Sequence, residues 1–295
     1  MVALHGDAGR LWLRGLPRLV EKCAARWSLK IGPHFAPLSY NYAAPAEASS
    51  GERLVLKIGV PIPELISEIE ALRLFGGRGA VRLVDFDTKD GVLLLERLEP
   101  GTQLTMLCET DDAAATSAAA RVMQKLWRTV PTEHTFPTVA DWGKGFRRMR
   151  ECFGGTTGPF PRKLVEEAES LFDELLDSSA APVLLHADLH HGNVLAAARA
   201  PWLAIDPKGL VGEPAYETGA LLRNPLPQLF NRPQPVRASE RRIAQLSDEL
   251  GLDRARVRGW GLAQAVLAGW WSFEDTGESG EFGIAAAQLL AATNP

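Results

Sequence analysis

The sequence predicts an α+β protein of two lobes, a small lobe of antiparallel strands around one inner helix and a larger, mainly helical lobe. Strand patterns dominate up to residue 98, and long amphipathic helical patterns dominate after Pro100-Gly101. A chain of 295 residues is also long enough for two lobes. We therefore expect lobes at residues 1–98 and 99–295, a hinge at about 95–101, and a ligand cleft between the lobes.

The small lobe is expected to consist mostly of strands around one inner helix. Residues 16–27 repeat apolar side chains with the period of a helix, and residues 64–75 follow Pro63 and end at a Gly-Gly pair, which suits a second, inner helix. Runs of aliphatic residues predict strands at 53–59, 80–86 and 92–98.

The large lobe is expected to be helical around two short strands. Amphipathic patterns predict helices at 111–130, 139–152 and 161–176, and the chain is again mostly helical from residue 216. Between these helices, the apolar runs at 183–185 and 202–205 predict two strands that each end at polar residues.

Composition argues against several classes of partner. The net charge is −4 and long Lys/Arg runs are absent, so we expect no binding to nucleic acid. No apolar run approaches the roughly 20 residues of a membrane span, so we expect no membrane insertion. Three widely spaced cysteines suit the reducing cytoplasm. The oligomeric state is left open.

The most informative segment runs from His186 to Asn193 and is followed by Asp206. It offers a carboxylate at Asp188, a carboxamide five residues later at Asn193, and a second carboxylate at Asp206, each shortly after a predicted strand. Phosphoryl transfer needs a carboxylate that orients the attacking hydroxyl, together with hard oxygen ligands for Mg²⁺. The spacing therefore favours a phosphotransferase.

The three histidines of this segment suggest an alternative, a zinc or two-metal hydrolase. His186, His190 and His191 surround Asp188 in the order His-x-Asp-x-His-His, which differs from the His-x-His-x-Asp-His order usual in metallohydrolases. The other histidines all lie upstream. We therefore expect His186 to brace the loop by hydrogen bonds rather than to bind metal.

The segment His186-x-Asp188-x-x-x-x-Asn193, with the later Asp206, resembles the catalytic and metal-binding loops of the protein-kinase-like fold in the form used by aminoglycoside phosphotransferases. Four further phrases resemble the streptomycin 6-phosphotransferase and hydroxyurea phosphotransferase group more specifically. They are LSYNY at 38–42, VLKIGVP at 55–61, GRGAVRL at 77–83 and DPKG at 206–209. The resemblance extends over residues 30–275 approximately.

This resemblance implies a kinase that uses ATP and Mg²⁺. Asp188 would be the catalytic base, and Asn193 and Asp206 would bind Mg²⁺. Lys57, at the end of a strand in the opposite lobe, would pair with the α- and β-phosphates of ATP. It needs an acidic partner from the following helix, for which Glu68 is preferred over Glu64 and Glu70.

The resemblance also locates the rest of the nucleotide site. Glu96 and Leu98 end the last strand of the small lobe, so their backbone groups would meet adenine at the hinge. The Gly-rich loop of protein kinases is absent, and the segment that contains Ser39 and Asn41 takes its place. Either side chain could donate to the phosphates there.

The acceptor implied by the resemblance is a streptomycin-type aminoglycoside, phosphorylated on a hydroxyl and thereby inactivated. A small cationic acceptor needs acidic walls in the large lobe, and the candidates are Glu213, Glu217, Glu274 and Asp275. Two alternatives remain. One is a kinase of the same fold that acts on hydroxyurea or another small hydroxylated metabolite, and the other is a nucleotide-binding scaffold without turnover.

Overall fold

The computed structural model describes residues 2–36, 41–278 and 280–294. The helices are α1 (Val2–Trp27), α2 (Pro63–Phe75), α3 (Leu104–Thr110), α4 (Asp112–Leu126), α5 (Val139–Cys152), α6 (Arg162–Asp177), α7 (Thr218–Leu222), α8 (Pro235–Leu250), α9 (Arg254–Thr276) and α10 (Glu281–Ala291). The strands are β1 (Leu29–Ile31), β2 (Tyr42–Ala48), β3 (Arg53–Ile58), β4 (Leu83–Asp87), β5 (Val92–Glu96), β6 (Pro100–Gln103), β7 (Val183–Leu185), β8 (Val194–Ala197), β9 (Trp202–Ala204) and β10 (Leu210–Gly212).

The N-terminal strands form a five-stranded antiparallel sheet in the order β1-β2-β3-β5-β4. Because side chains alternate along a strand, β3 and β5 serve two separate apolar clusters. Leu54, Leu56 and Ile58 pack on one face beneath α1, whereas Leu93 and Leu95 pack on the other face against α2.

The C-terminal part is helical around the long helix α9, which has twelve buried residues. Two small sheets lie in it, β7 paired with β10 and β6-β8-β9. The segment between β7 and β8 carries residues 186–193, and the segment between β9 and β10 carries residues 205–209. The small sheets therefore fix the ends of both segments that the sequence singles out.

The α+β class predicted from the sequence is confirmed. The helix predicted at 139–152 has the predicted bounds, and α2 matches the inner helix predicted at 64–75 to within one residue. The helix predicted at 16–27 is also present, as the C-terminal part of the longer α1 (Val2–Trp27), which covers the outer face of the sheet. One feature differs: the strand predicted from residue 80 begins only at Leu83, because Ala80 instead bridges to Ala204 of β9.

None of the helices in the described residues combines the length of a membrane span with a sufficiently apolar sequence.

Candidate active site

Three charged side chains from different segments meet at Lys57. Its Nζ lies 2.6 and 2.8 Å from the carboxylate oxygens of Glu68 on α2, and 3.0 Å from Oδ1 of Asp206 after β9. The Lys57 and Glu68 side chains are 6% and 9% exposed, whereas that of Asp206 is 46% exposed. Lys57 thus joins the sheet, the helix and the segment after β9, while Asp206 stays accessible to a ligand.

The alternation of β3 aims Lys57 at α2. Leu56 and Ile58 face α1, so Val55 and Lys57 point to the opposite face of the sheet. Lys57 sits opposite Leu93 of β5 in the centre of the sheet. An ammonium on this inner face has little contact with water and needs a charged partner.

Of the three glutamates considered for that partner, the structure places Glu68 beside Lys57. Glu70 instead pairs with Arg73 on the exposed side of α2, at 2.8 Å. Glu64 lies one turn before Glu68 and forms an ion pair with Lys208. The helix thus directs two carboxylates, Glu64 and Glu68, toward the segment that contains Asp206.

The neighbouring charges keep Lys57 and Asp206 ionised. Burial acts to lower the pKa of Lys57, but the carboxylates of Asp206 and Glu68 outweigh it and raise that pKa above its ordinary value. Burial acts to raise the pKa of Asp206, yet the Lys57 ammonium holds that pKa below its ordinary value. Both side chains are therefore charged at neutral pH.

Asp188 and Asn193 are joined by a hydrogen bond within their loop. Nδ2 of Asn193 donates to the carbonyl of Asp188 at 3.0 Å. Among the described residues no donor bonds to the amide oxygen Oδ1 of Asn193, so this oxygen can bind a ligand. The carbonyl of Asn193 accepts from the Ile205 N–H at 2.9 Å, so the residue before Asp206 is tied to Asn193. The structure thus brings Asp188, Asn193 and Asp206 to neighbouring segments.

Asn193 and Asp206 offer a donor set that fits Mg²⁺. An amide oxygen and a carboxylate are both hard oxygen ligands, and the bond between Ile205 and Asn193 holds their two segments side by side. Their predicted roles as metal ligands remain predictions.

Another group of potential ligands does not fit a cation. Cys108, Asp112 and His191 lie within 4.8 Å of one another and are buried. Asp112, however, already pairs with the guanidiniums of Arg232, Arg241 and Arg242. A metal ion would meet three positive charges there, so the cluster instead stabilises the packing of α8 on α4.

Both loops contain a non-glycine residue with positive φ, which costs conformational energy and must be held by its surroundings. Ala187 has φ 69° and Asp206 has φ 59°. The N–H groups of His186 and Ala187 donate to the carboxylate of Glu217 at 2.7 and 2.8 Å, and the Lys208 N–H donates to the His186 carbonyl. Glu217 therefore anchors the loop before Asp188.

That contact corrects the prediction that Glu217 lines the acceptor pocket. The residue is 1% exposed, and its two oxygens accept the two backbone N–H groups. Burial raises the pKa of Glu217 to about 7, although both backbone donors act to lower it. A carboxylate so placed supports the loop and offers no surface to a solute.

Glu213 is likewise a structural residue rather than part of an acceptor wall. It is 4% exposed, and its carboxylate accepts from Arg256, from Nε1 of Trp260 and from the Ala180 N–H. These contacts tie the segment after β10 to α9. Sequence alone cannot separate such a buried acid from one that faces a cleft.

The last two acceptor candidates lie near the end of α9. Glu274 forms a bidentate pair with Arg148 of α5, at 2.7 and 2.8 Å, and its side chain is 29% exposed. The charge that it could offer a cation is thus already balanced. Asp275 is exposed beside it, and its contact with an acceptor stays a prediction.

Two basic residues near Asp188 and Asp206 were missed. Nη2 of Arg223 lies 3.3 Å from Oδ1 of Asp188, and Nη1 donates to Gln264 of α9 at 2.8 Å. Lys208 stands two positions after Asp206. It lies inside the 206–209 phrase and could have been singled out, whereas Arg223 is 35 residues from Asp188 and belongs to no pattern.

Glu96 and Leu98, the residues expected at the hinge, differ in whether their backbone N–H is available to a ligand. The Glu96 N–H donates to the Arg82 carbonyl at 3.0 Å, and its carboxylate accepts from Arg199 and from the Arg82 N–H. Leu98 is 9% exposed, and its N–H has no hydrogen-bond partner among the described residues. Of the two, Leu98 keeps a backbone donor for a base, and both assignments remain predictions.

The segment predicted to cover the phosphates is described only in part. Ser39 lies outside the described residues. Asn41 precedes β2 and lies over Gly59 at the end of β3, where an added Cβ would come within 2.3 Å of Asn41 Oδ1. Asn41 is thus near Lys57 along the sheet, and its contact with phosphate stays a prediction.

His186 and His190 form hydrogen bonds within the protein. Ring Nε2 of the fully buried His186 lies 2.8 Å from the Ile205 carbonyl, and Nδ1 accepts from the Asp188 N–H at 3.3 Å. This assigns the neutral form with the proton on Nε2. Nδ1 of His190 accepts from the Gly192 N–H. These bonds leave no role for His186 as a zinc ligand.

The neutral state of His186 predicts a dependence of stability on pH. Burial lowers the pKa of His186 from its ordinary 6.5 to about 4. The stability that it contributes is therefore fully present above pH 6.5 and is lost as the pH falls toward about 4, by roughly 3 kcal/mol for a shift of this size. Urea unfolding of the wild type and His186→Gln over this range should show the difference shrinking on acidification.

The exposed His134, changed to Gln in the same way, is the matched control. A His186→Gln difference that stays constant over the whole range would contradict a buried, neutral imidazole.

Known proteins resemble this chain over most of its length. A family described as aminoglycoside/hydroxyurea antibiotic resistance kinase matches residues 42–277. A streptomycin 6-kinase of Streptomyces glaucescens is 34% identical and covers 92% of this chain and 87% of its own. A hydroxyurea phosphotransferase of Kitasatospora aureofaciens is 36% identical, with 97% of this chain and 82% of its own covered.

Solved structures share the fold. An aminoglycoside phosphotransferase in complex with ADP and hygromycin B superposes with a TM-score of 0.64 at 15% identity, covering 92% of this chain and 99% of its own. A choline/ethanolamine kinase family protein from Mesorhizobium loti reaches 0.68 at 14% identity, covering 94% and 95%. The bilobal protein-kinase-like fold is thus confirmed, and the chain belongs to the aminoglycoside/hydroxyurea antibiotic resistance kinase family.

Proposed function

We propose that this kinase transfers the γ-phosphoryl group of ATP, with Mg²⁺, to a hydroxyl of a streptomycin-type aminoglycoside and so inactivates the antibiotic. The observation that carries the proposal is the assembly of Lys57, Glu68 and Asp206 beside the loop of Asp188 and Asn193. Relatives at 33–36% identity that are streptomycin 6-kinases or hydroxyurea phosphotransferases support it.

The two lobes would divide the work. Residues 1–98 would bind the nucleotide, with Lys57 on the phosphates and the hinge at 95–101 against adenine. Residues 99–295 would supply the catalytic loop, the metal ligands and the acceptor site. The free thiols of the three cysteines suit a cytoplasmic enzyme.

Phosphoryl transfer depends mainly on positioning and on charge. The Lys57 ammonium would hold the α- and β-phosphates, with Glu68 fixing its direction. Asp188 would orient the acceptor hydroxyl and accept its proton as the new O–P bond forms and the bond from the γ-phosphorus to ADP breaks. Mg²⁺, held by Asn193 and Asp206, would neutralise phosphate charge.

Hydroxyurea is the second candidate acceptor. The 36% identity to a hydroxyurea phosphotransferase favours it. The structure adds a reason, because Glu213, Glu217 and Glu274 are already engaged by protein donors and leave few charges for a polycation. A small neutral acceptor needs fewer acidic contacts.

The proposal is tested by coupled ADP release with Mg²⁺, ATP and a panel of acceptors that includes streptomycin and hydroxyurea. We expect streptomycin to stimulate turnover and to gain one phosphoryl group. Asp188→Ala should lower kcat by about 10²- to 10⁴-fold, because the hydroxyl loses its base, while nucleotide affinity by calorimetry stays within a few-fold.

Asp248→Ala, an exposed carboxylate on α8, serves as the control and should leave turnover unchanged. Stimulation by hydroxyurea alone would replace the aminoglycoside by the second candidate. A wild-type enzyme that no acceptor stimulates would be a nucleotide-binding scaffold instead.

Arg223 is expected to be a positioning residue for Asp188. Its guanidinium is 11% exposed and lies 3.3 Å from Oδ1 of Asp188, so it fixes the direction of that carboxylate, and Arg223→Gln should lower kcat about tenfold with little change in KM for ATP.

Arg223→Lys should recover part of the lost kcat, because it keeps the positive charge. Arg150→Gln, which removes the ion pair with Glu169 that joins α5 to α6, is the control. A kcat of Arg223→Gln equal to that of the wild type, or a loss expressed only in KM for ATP, would remove Arg223 from this role.

A further inference from the structure

A cationic cavity lies outside the candidate active site, beneath the GRGAVRL phrase that the proposed function does not use. It has a volume of about 440 Å³ and is lined by residues of three segments. These are Gly77, Arg78 and Gly79 after α2, Lys125 and Arg128 at the end of α4, and Arg199, Ala200 and Leu203 around the β8–β9 turn. We propose that this cavity binds a small oxyanion of the phosphate class.

The loop that forms one wall is fixed by its backbone. Gly77 and Gly79 both have φ 76°, which other residues rarely adopt. A Cβ at Gly79 would lie 2.9 Å from the Lys125 Cβ, so glycine is needed for the loop to meet α4. The Gly79 carbonyl accepts from the Ala204 N–H at 2.8 Å. The wall therefore exists before any ligand binds.

Three of the four cations lack a balancing acid. Arg199 is paired with Glu96 and donates to the carbonyls of Gly77 and Ala80, so it belongs to the framework. Arg78, Lys125 and Arg128 form no ion pair with any described residue. Three positive charges around one cavity repel each other, and an anion would relieve that repulsion.

Arg128 contains two buried donor nitrogens that could bind an anion. Its Nη1 donates to the neighbouring Trp127 carbonyl at 3.2 Å, whereas its Nε and Nη2 are buried without a hydrogen-bond partner among the described residues. Burial and the nearby Arg78 lower the pKa of Arg128. A small rotation toward the cavity would give both nitrogens an oxyanion to donate to, which suits the planar fork of a guanidinium.

The ligand chemistry follows from this lining. The cavity side chains include cations and small or aliphatic residues but no carboxylate, which disfavours cationic and metal ligands. Aromatic rings that could stack on a base are also absent from the lining. A compact oxyanion, either free phosphate or the phosphoryl group of a phosphorylated metabolite, fits the remaining cationic donors of the lining.

The cavity is connected to the candidate active site through β9. Leu203 lines the cavity, and Ala204, the last residue of β9, is bonded to Gly79 and to Val81. Asp206 follows two residues later. An anion in the cavity therefore lies against the strand that leads to Asp206.

The test is calorimetric titration of the full chain with inorganic phosphate, with sulfate and with a phosphomonoester such as glycerol phosphate, at low ionic strength. We expect saturable binding that weakens with added salt. The double substitution Lys125→Gln and Arg128→Gln should weaken it about tenfold or more, since two charge-assisted donors are lost.

Two controls separate this site from others. Lys163→Gln, an exposed lysine on α6, should bind as the wild type does. Lys57→Met, checked for folding by circular dichroism, should also keep this binding, because Lys57 does not line the cavity. Equal binding of phosphate and sulfate identifies a simple oxyanion site, and preference for the phosphomonoester identifies a phosphorylated metabolite.

Absence of saturable binding to the wild type would overturn the proposal. So would binding that survives the Lys125 and Arg128 substitutions, or that is lost in a folded Lys57→Met variant. Circular dichroism of the double variant confirms that it is folded, and Arg128→Lys, which keeps the charge, should retain part of the affinity.

Discussion

The buried ammonium of Lys57 is the constraint on which the site depends. It receives Glu68 from α2 and Asp206 from the segment after β9, so a single charge holds three separate segments in register. Removing one partner of a buried pair leaves an uncompensated charge, at a cost of about 3–5 kcal/mol. The packing of β3 on α2 therefore also brings the candidate phosphotransfer residues Lys57, Glu68 and Asp206 together.

A second set of buried acids holds the loops that carry this chemistry. Glu217 accepts two backbone N–H groups ahead of Asp188, and Glu213 ties the segment after β10 to α9. Both had been expected to meet the acceptor. Both carboxylates are buried, so they support loops and cannot contact an acceptor. In the sequence alone, an acid with this structural role looks the same as one that binds a substrate.

Sequence predicted the parts of the fold that rest on long periodic patterns. The helix at 139–152 and the strand that carries Lys57 follow from apolar spacing, and local spacing also groups Asp188 with Asn193. It could not predict the short strands β6 and β10, which rely on pairing rather than on pattern. Arg223 was missed because only tertiary packing brings it to Asp188.

We propose that Asp206 binds the metal of a nucleotide whose phosphates Lys57 holds. The most direct measurement is the affinity for a non-hydrolysable ATP analogue, determined as a function of Mg²⁺ concentration in the wild type and in Asp206→Ala. We predict that Mg²⁺ strengthens wild-type binding by about tenfold or more, and that this gain disappears in Asp206→Ala. An unchanged Mg²⁺ dependence in the variant would contradict the account.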